Sequence, residues 1–381
     1  QAPRMFRITV APAACFLFTS ASVQHNALLQ RQMRFGALAV IEIAALLLST
    51  WIGLAMATMG LGYWALVGWS VTLPAANCVG VWVATGWIPG LPRRDADVRP
   101  LLRFGGLVTL NILVGQVAYN LDKVLLGRYW GAEVLGLYGR GYQLTSMATD
   151  NLLSTIGAVA FPALSRTQHD SAQLENYFLK GYKLVFTMAL PITLACLLFA
   201  EDIVLVLLGP KWLEVAPVLR LLSPLITIYA LIHPLGWFLY SLGMVGRSLA
   251  VALAILPIVT IGYAAGLQFG ANGVAAGYTL SMTLWIVPHL VWCTRGTTLS
   301  PWSLVRSVWA PCVAGIAASL AAYGARLVLD EIAPLAGMFG GGAVLALVYG
   351  WVLLWVLKEK AFYMGLVRSL RGSDTINEPR P

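Results

Sequence analysis

Polar and ionisable side chains stand inside long apolar runs of this chain, and their spacing suggests what chemistry they could do. Gln116, Asn120 and Lys123 follow one another at i, i+4 and i+7, so a helix through them carries all three on one face. Asn111, Asp122 and Arg128 belong to the same stretch, and the next one holds Arg140, Gln143, Asp150 and Asn151. Glu42 is the only acid in its run, and His233 stands between Ile232 and Pro234 in another. A charge at the centre of a bilayer costs about 3 kcal/mol on insertion scales, so by default it marks a site or finds a partner. Fixed cations can hold an anion, and amides and aromatic rings can hold a polar cargo. A carboxylate or an imidazole can load and release an ion. The structural alternative places Asp122, Lys123, Arg128 and Arg140 at the outer interface, where long side chains snorkel or pair and only hold helices together. For Glu42 that alternative is a cross-helix pair, and for His233 a buried, hydrogen-bonded neutral ring. Asp122 and Lys123 are sequence neighbours and do not share a face, so each is left to pair with other helices. His289 follows Pro288 near the end of its run, and His25 and His169 read as loop or interface residues.

The elements that position these groups are helices in lipid. The chain is 59% hydrophobic and 11% charged, against about 25% charged in soluble domains. A soluble fold of this composition would expose far more apolar surface than monomers tolerate. The net charge of +9 does not indicate nucleic acid, because the basic residues lie between apolar runs and form no stripe. Cys15, Cys78, Cys196, Cys293 and Cys312 are scattered without CxxC or Cys/His spacing, so they read as small core residues; no metal or cofactor is expected. A membrane helix needs about 20 mostly apolar residues. Eleven such runs lie near 8–29, 36–59, 62–87, 104–127, 135–162, 182–208, 217–242, 247–268, 270–292, 304–328 and 335–357. They are too long, and alternate too little, for barrel strands. The expected fold is therefore an all-α, polytopic transmembrane helical bundle. Asp150 falls about 15 residues into its span, near mid-bilayer at about 1.5 Å per residue. The polar stretch from Thr167 to Lys183 reads as an interfacial helix, and the basic tail from Lys358 to Pro381 as a membrane-surface helix.

Basic residues between runs set the orientation. One alternating set of gaps holds 17 Lys and Arg and the other 8, so the first set, with the C-terminus, is expected in the cytoplasm. The N-terminus then lies outside. The start at Gln-Ala-Pro, without an initiator Met or a signal peptide, reads as the interior of a longer protein. An internal repeat fits the same frame. Residues 34–68 and 247–278 each run from a basic turn through a long apolar helix to a Gly-rich turn and a second span, about 210 residues apart. Copies sharing an orientation make parallel repeats about an axis along the membrane normal.

Several segments resemble a known family. They are Ala27-Leu-Leu-Gln-Arg-Gln-Met-Arg-Phe35, Leu101-Leu-Arg-Phe-Gly-Gly106, Asn120-Leu-Asp-Lys-Val-Leu-Leu-Gly-Arg-Tyr-Trp-Gly131 and Leu135-Gly-Leu-Tyr-Gly-Arg-Gly-Tyr142. Phe161-Pro-Ala-Leu-Ser-Arg166 and Leu207-Leu-Gly-Pro-Lys-Trp212 complete the series. In this order, over roughly residues 10–295, they resemble bacterial polysaccharide flippases of the Wzx type, within the multidrug/oligosaccharidyl-lipid/polysaccharide exporter superfamily. The resemblance implies two pseudo-symmetric six-helix lobes around a central cavity. It also implies transport, with no enzymatic step, of undecaprenyl-diphosphate-linked oligosaccharide across the inner membrane. Its partners would be membrane lipids, a proton or sodium ion, and polysaccharide polymerase and export machinery. On this frame residues 1–100 are the remaining half of the N-terminal lobe, 101–296 the C-terminal lobe, and 297–381 an appended helix pair with a tail. The implied roles are cargo contact for Lys123, Arg128, Arg140, Gln116 and Asn120, and ion coupling for Asp122, Asp150, Glu42 and His233. Two other classes fit parts of the pattern. A cation exporter of the same superfamily would favour carboxylates and aromatics over Lys and Arg in its cavity. A membrane glycosyltransferase or polymerase would place acids and His in a large external loop, whereas the outer loops here are short.

Overall fold

The structure, a computed structural model, describes residues 2–88, 90, 99–166, 171–329 and 334–364. All the regular structure among them is helical. The helices are α1 (Ala2–Arg31), α2 (Phe35–Thr58), α3 (Trp64–Thr85), α4 (Arg99–Ala118), α5 (Leu121–Tyr129), α6 (Gly131–Arg166) and α7 (Ser171–Leu198). They continue with α8 (Ala200–Leu207), a 3-10 turn (Pro210–Val215), α9 (Ala216–Leu222), α10 (Pro224–Ser241), α11 (Val245–Leu267) and α12 (Gly270–Thr294). Last come α13 (Pro301–Leu329) and α14 (Pro334–Trp351), which ends in a π-helical turn (Val352–Val356). Each of the eleven apolar runs falls on this helical framework. Seven helices are long and apolar enough to cross a membrane, and α9 with α10, bent by 41° together with the 3-10 turn, makes up to eight. The remaining runs lie on α1, on α4–α5 and on α6, helices rich in polar residues. The chain divides into two compact units, Gln1–Ala96 and Asp97–Pro381.

In the first unit α3 packs against both α1 and α2. In the second, α4–α6 and α9–α12 surround a core that includes Tyr138, Phe238, Tyr263 and Tyr278, and α13–α14 pack on α7. Helical membrane proteins must satisfy internally every backbone group that a break sets free. Here other side chains do so. Tyr263 donates to Ala118 O at 3.1 Å, at the end of α4. Arg220 donates to Leu197 O at 3.2 Å and Arg326 to Leu198 O, where α7 ends. Thr279 donates to Leu221 O at 2.7 Å, near the end of α9. Prolines, which lack an N–H for the carbonyl four residues back, are served likewise. Cys15 donates to Ser70 O at 3.3 Å below Pro74, Tyr349 to Thr187 O at 3.0 Å below Pro191, and Ser223 to Arg220 O at 2.9 Å below Pro224.

The repeat recurs in the backbone. Met33 has φ +56° and Arg34 φ −84°, ψ 53° before α2; Gly243 has φ +72° and Met244 φ −82°, ψ 46° before α11. Gly60, φ +75°, lies in the turn after α2, and Gly270, φ +66°, follows the turn after α11 and opens α12. Each pair is separated by 243 − 33 = 270 − 60 = 210 residues. The α11–α12 hairpin depends on glycine: a Cβ on Gly266 would lie 2.1 Å from Gly273 O, and one on Gly277 2.1 Å from Gly262 O. Two backbones in contact through small residues are a recurrent membrane packing. The polar stretch expected as a separate interfacial helix is instead, from Ser171, the first turns of α7. Beyond it lie residues 167–170, outside the described residues, as does the tail from 365.

Candidate functional site

The run at 104–127 is broken in its middle. Asn120 leaves helical geometry at φ −128°, ψ −3° and takes the position before the first turn of α5. Its amide makes no capping bond to α5 and reaches back to Gln116 O instead, a competition for backbone groups that favours the break. The break creates a helix N-terminus with free N–H groups and partial positive charge. Asp122, in the first turn of α5, answers it and is fully buried. Its Oδ1 accepts the Lys123 backbone N–H at 2.7 Å, and its Oδ2 accepts the Tyr138 hydroxyl of α6 at 2.5 Å.

Lys123 points the other way, half-buried. Its Nζ donates to Asn120 Oδ1 at 2.7 Å and sits 3.9 Å from the centroid of the Tyr142 ring. Asn120 in turn donates to Gln116 Oε1 at 3.0 Å and to Gln116 O at 2.9 Å. Gln116 is exposed. The helix face expected from the spacing is thus one connected polar strip, running from an open amide to a half-buried ammonium. An ammonium has three donors and Asn120 takes one. Another can turn to the Tyr142 ring, which leaves a donor to meet an anionic or hydroxyl-bearing group.

Tyr142, which Lys123 meets, is one of several tyrosines packed within the second unit. Tyr138 and Tyr142 stack with centroids 6.3 Å apart, and Tyr119 meets Tyr229 edge-on at 6.0 Å. Tyr229 and Tyr278 share a short hydroxyl–hydroxyl hydrogen bond, and Tyr263 lies 5.1 Å from Tyr278. None of these rings figures among the candidates drawn from sequence. The available signal was the i, i+4 pair Tyr138 and Tyr142 in the Leu135–Tyr142 segment.

The other candidates are dispersed. Arg140 is exposed on α6; its Nη1 donates to Gln143 Oε1 at 2.9 Å and its guanidinium lies 5.5 Å from the Trp212 ring. Gly141 makes this possible, since a Cβ there would lie 2.7 Å from Val218 Cγ1 of α9. Asp150 is exposed ten residues further along α6, about 15 Å by helical rise. Arg128 is exposed in the last turn of α5, where a cation complements the helix dipole. Glu42 is exposed on α2, in the other unit. His233 is exposed on α10, with its ring edge-on to Tyr229 at 5.0 Å. His289 is buried, accepts the Trp285 indole N–H on Nδ1 at 3.2 Å, and lies 3.5 Å from Cys293 Sγ through Nε2. His25 is also buried within α1, which corrects its reading as a loop or interface residue. His169 lies outside the described residues.

Broken apolar helices, a polar strip on one of them and carbonyls satisfied across helices make this a polytopic α-helical membrane protein. It belongs to the polysaccharide biosynthesis protein family, which matches residues 1–217. Among its relatives, the lipopolysaccharide biosynthesis protein WzxC of Escherichia coli strain K12 is 26% identical over 80% of this chain and 63% of its own. The teichuronic acid biosynthesis protein TuaB of Bacillus subtilis strain 168 is 24% identical over 68% of this chain and 54% of its own. A solved structure, lipid II flippase MurJ in its inward closed conformation, shares the fold. Its TM-score is 0.59 at 11% identity, over 82% of this chain and 66% of that one. The chain therefore spans roughly half to two thirds of the length of the proteins it matches.

Proposed function

We propose that this protein moves undecaprenyl-diphosphate-linked oligosaccharide across the bacterial inner membrane for exopolysaccharide or lipopolysaccharide synthesis, by ion-coupled alternating access. It acts as a transporter and not as an enzyme. The family, the polysaccharide-related names of WzxC and TuaB, and the fold shared with a lipid II flippase support this reading. The observation that carries it is Lys123, a cation inside a broken apolar run, joined to Asn120 and Gln116 with a donor to spare. A diphosphate needs such a charge, and a sugar needs amides and aromatic faces beside it. Lys123, Asn120 and Gln116 contact the cargo, with Arg140 and Arg128 further along its path. Asp122, Asp150, Glu42 and His233 are the groups that load a proton or sodium ion. Residues 1–100 contribute three helices of one lobe, 101–296 form the second lobe, and 297–381 add a helix pair whose tail faces the cytoplasm beside the polymerase and export machinery.

The test is complementation in a strain deleted for its own translocase. Surface polysaccharide is measured for the wild type and for Arg140→Ala and Asp150→Ala, with membrane insertion checked by immunoblot. The expected result is restored export by the wild type and a clear loss in both variants. Normal export by correctly inserted variants removes both residues from the mechanism. No export by the wild type in strains of several polysaccharide types counts against the cargo class.

A further inference from the structure

An acid beside a cation ordinarily quenches it, and Asp122 and Lys123 are neighbours in sequence. Two tyrosines one turn apart on α6 keep this pair apart. Tyr138, fully buried, donates its hydroxyl to Asp122 Oδ2 at 2.5 Å, and Asp122 Oδ1 accepts the Lys123 backbone N–H at 2.7 Å. The carboxylate is thereby satisfied without the ammonium. Tyr142, four residues further on, meets the cation with its ring: Lys123 Nζ lies 3.9 Å from the ring centroid. The two rings stack, 25° apart in plane with centroids 6.3 Å apart, so the partner of the acid and the partner of the cation hold each other in place. No ion pair among the described residues includes Lys123.

The donors of Lys123 can be counted. Asn120 Oδ1 accepts one N–H at 2.7 Å. That oxygen is itself aimed, because the Asn120 amide nitrogen donates to Gln116 Oε1 at 3.0 Å and to Gln116 O at 2.9 Å. The ring face of Tyr142 draws a second N–H. An ammonium has three donors at tetrahedral angles, so fixing two of them fixes the direction of the third. A lysine on its flexible four-carbon stem is otherwise a wandering point charge, and it meets one anionic oxygen where an arginine fork meets two. We propose that Tyr142 is the positioning residue of the Lys123 site: with Asn120 it holds the ammonium away from Asp122 and aims the remaining N–H at a single phosphate oxygen of the cargo. The identity of that anion rests on the proposed function; the hold on the ammonium rests on the contacts alone.

The test grades the ring and leaves its size nearly unchanged. In the full chain, in phosphatidylethanolamine/phosphatidylglycerol liposomes, Tyr142→Phe keeps the aromatic face, Tyr142→trifluorophenylalanine withdraws electron density from it, and Tyr142→Leu removes it. Size-exclusion chromatography checks folding, and the fluorinated ring keeps the test decisive if the Leu variant does not fold. The first reading needs no cargo: the rate at which a water-soluble acetylating reagent modifies Lys123, followed by mass spectrometry. The expected rate is the same in the wild type and Tyr142→Phe, and about threefold higher with the fluorinated ring or Leu. The second reading is transfer of a fluorescent undecaprenyl-diphosphate saccharide. Its half-saturating concentration should rise about threefold with the fluorinated ring and stay at the wild-type level in Tyr142→Phe. Equal acetylation in all four proteins, no acetylation of Lys123 in any, or a half-saturating concentration indifferent to the electron density of the ring overturns the proposal. A wild type that transfers nothing sinks the transport reading, and the acetylation series then decides the role of Tyr142 by itself.

Discussion

Asp122 and Lys123 are adjacent in sequence yet opposed in role, and the break at Asn120 explains why. Asp122 faces inward, where two donors hold its carboxylate. Removing one of them should be felt as stability. Tyr138→Phe keeps the packing and deletes a charge-assisted hydrogen bond, a loss of about 2 kcal/mol, measurable as a lower midpoint in thermal unfolding of the purified protein. Lys123 faces the strip, and its loss should be felt as function. Lys123→Arg should retain part of the export and Gln116→Ala most of it, as read by surface polysaccharide at matched expression. The alignment of Gln116, Asn120 and Lys123 was legible in the sequence because it depends only on local helical spacing. Tyr138 as the partner of Asp122 was not, since the chain breaks between α5 and α6 and periodicity carries no record of a break. His25 was misread for a related reason: its burial is made by Trp82, Thr85 and Trp87, which reach it only after α2 and α3 have folded back.

Breaks and close approaches dominate at the scale of elements. The end of α7 is held by two arginines that differ in surroundings. Arg220 pairs with Glu201 at 3.1 Å with both side chains largely open, at 42% and 57% exposure. Arg326 pairs with Asp202 at 3.2 Å with exposures of 19% and 10%, and stacks near Phe199. An open pair contributes at most ~1 kcal/mol, whereas leaving a buried acid such as Asp202 without its cation costs about 3 kcal/mol. Arg326→Ala should therefore lower the unfolding midpoint well below that of Arg220→Ala. Midway along α7, Lys183 meets Glu359 at 2.6 Å and Thr187 meets Tyr363 at 2.7 Å, so the segment that follows α14 is fixed to the same helix. The α11–α12 hairpin should be equally sensitive. Gly266→Ala puts a methyl group against backbone, and overpacking of this kind costs about 1–3 kcal/mol; reduced yield of folded protein by size-exclusion chromatography is the check. The runs and their helical state could be read from composition and length. The kinks at Phe199 and Ser223 could not, because the first has no proline at the break and the second depends on how Pro224 is accommodated.

Across the whole molecule the same local plan appears twice. α2 and α11 start 210 residues apart, and so do the turns on either side of them, although one turn uses Met33 where the other uses Gly243. The weak identity between the copies hides a close likeness of backbone, which is why the repeat could be outlined from glycines and basic turns but not aligned residue by residue. A transporter of a charged lipid-linked saccharide must offer fixed charge where the membrane offers none, and under the proposed function Lys123 is the candidate for that charge in the second unit. The most direct measurement is leaflet-resolved transfer of a fluorescent undecaprenyl-diphosphate saccharide in proteoliposomes, comparing the wild type with Lys123→Ala at equal reconstitution. The account predicts transfer by the wild type and a rate at least about tenfold lower in the variant, equivalent to ~1.4 kcal/mol. Equal rates for the two proteins would contradict it.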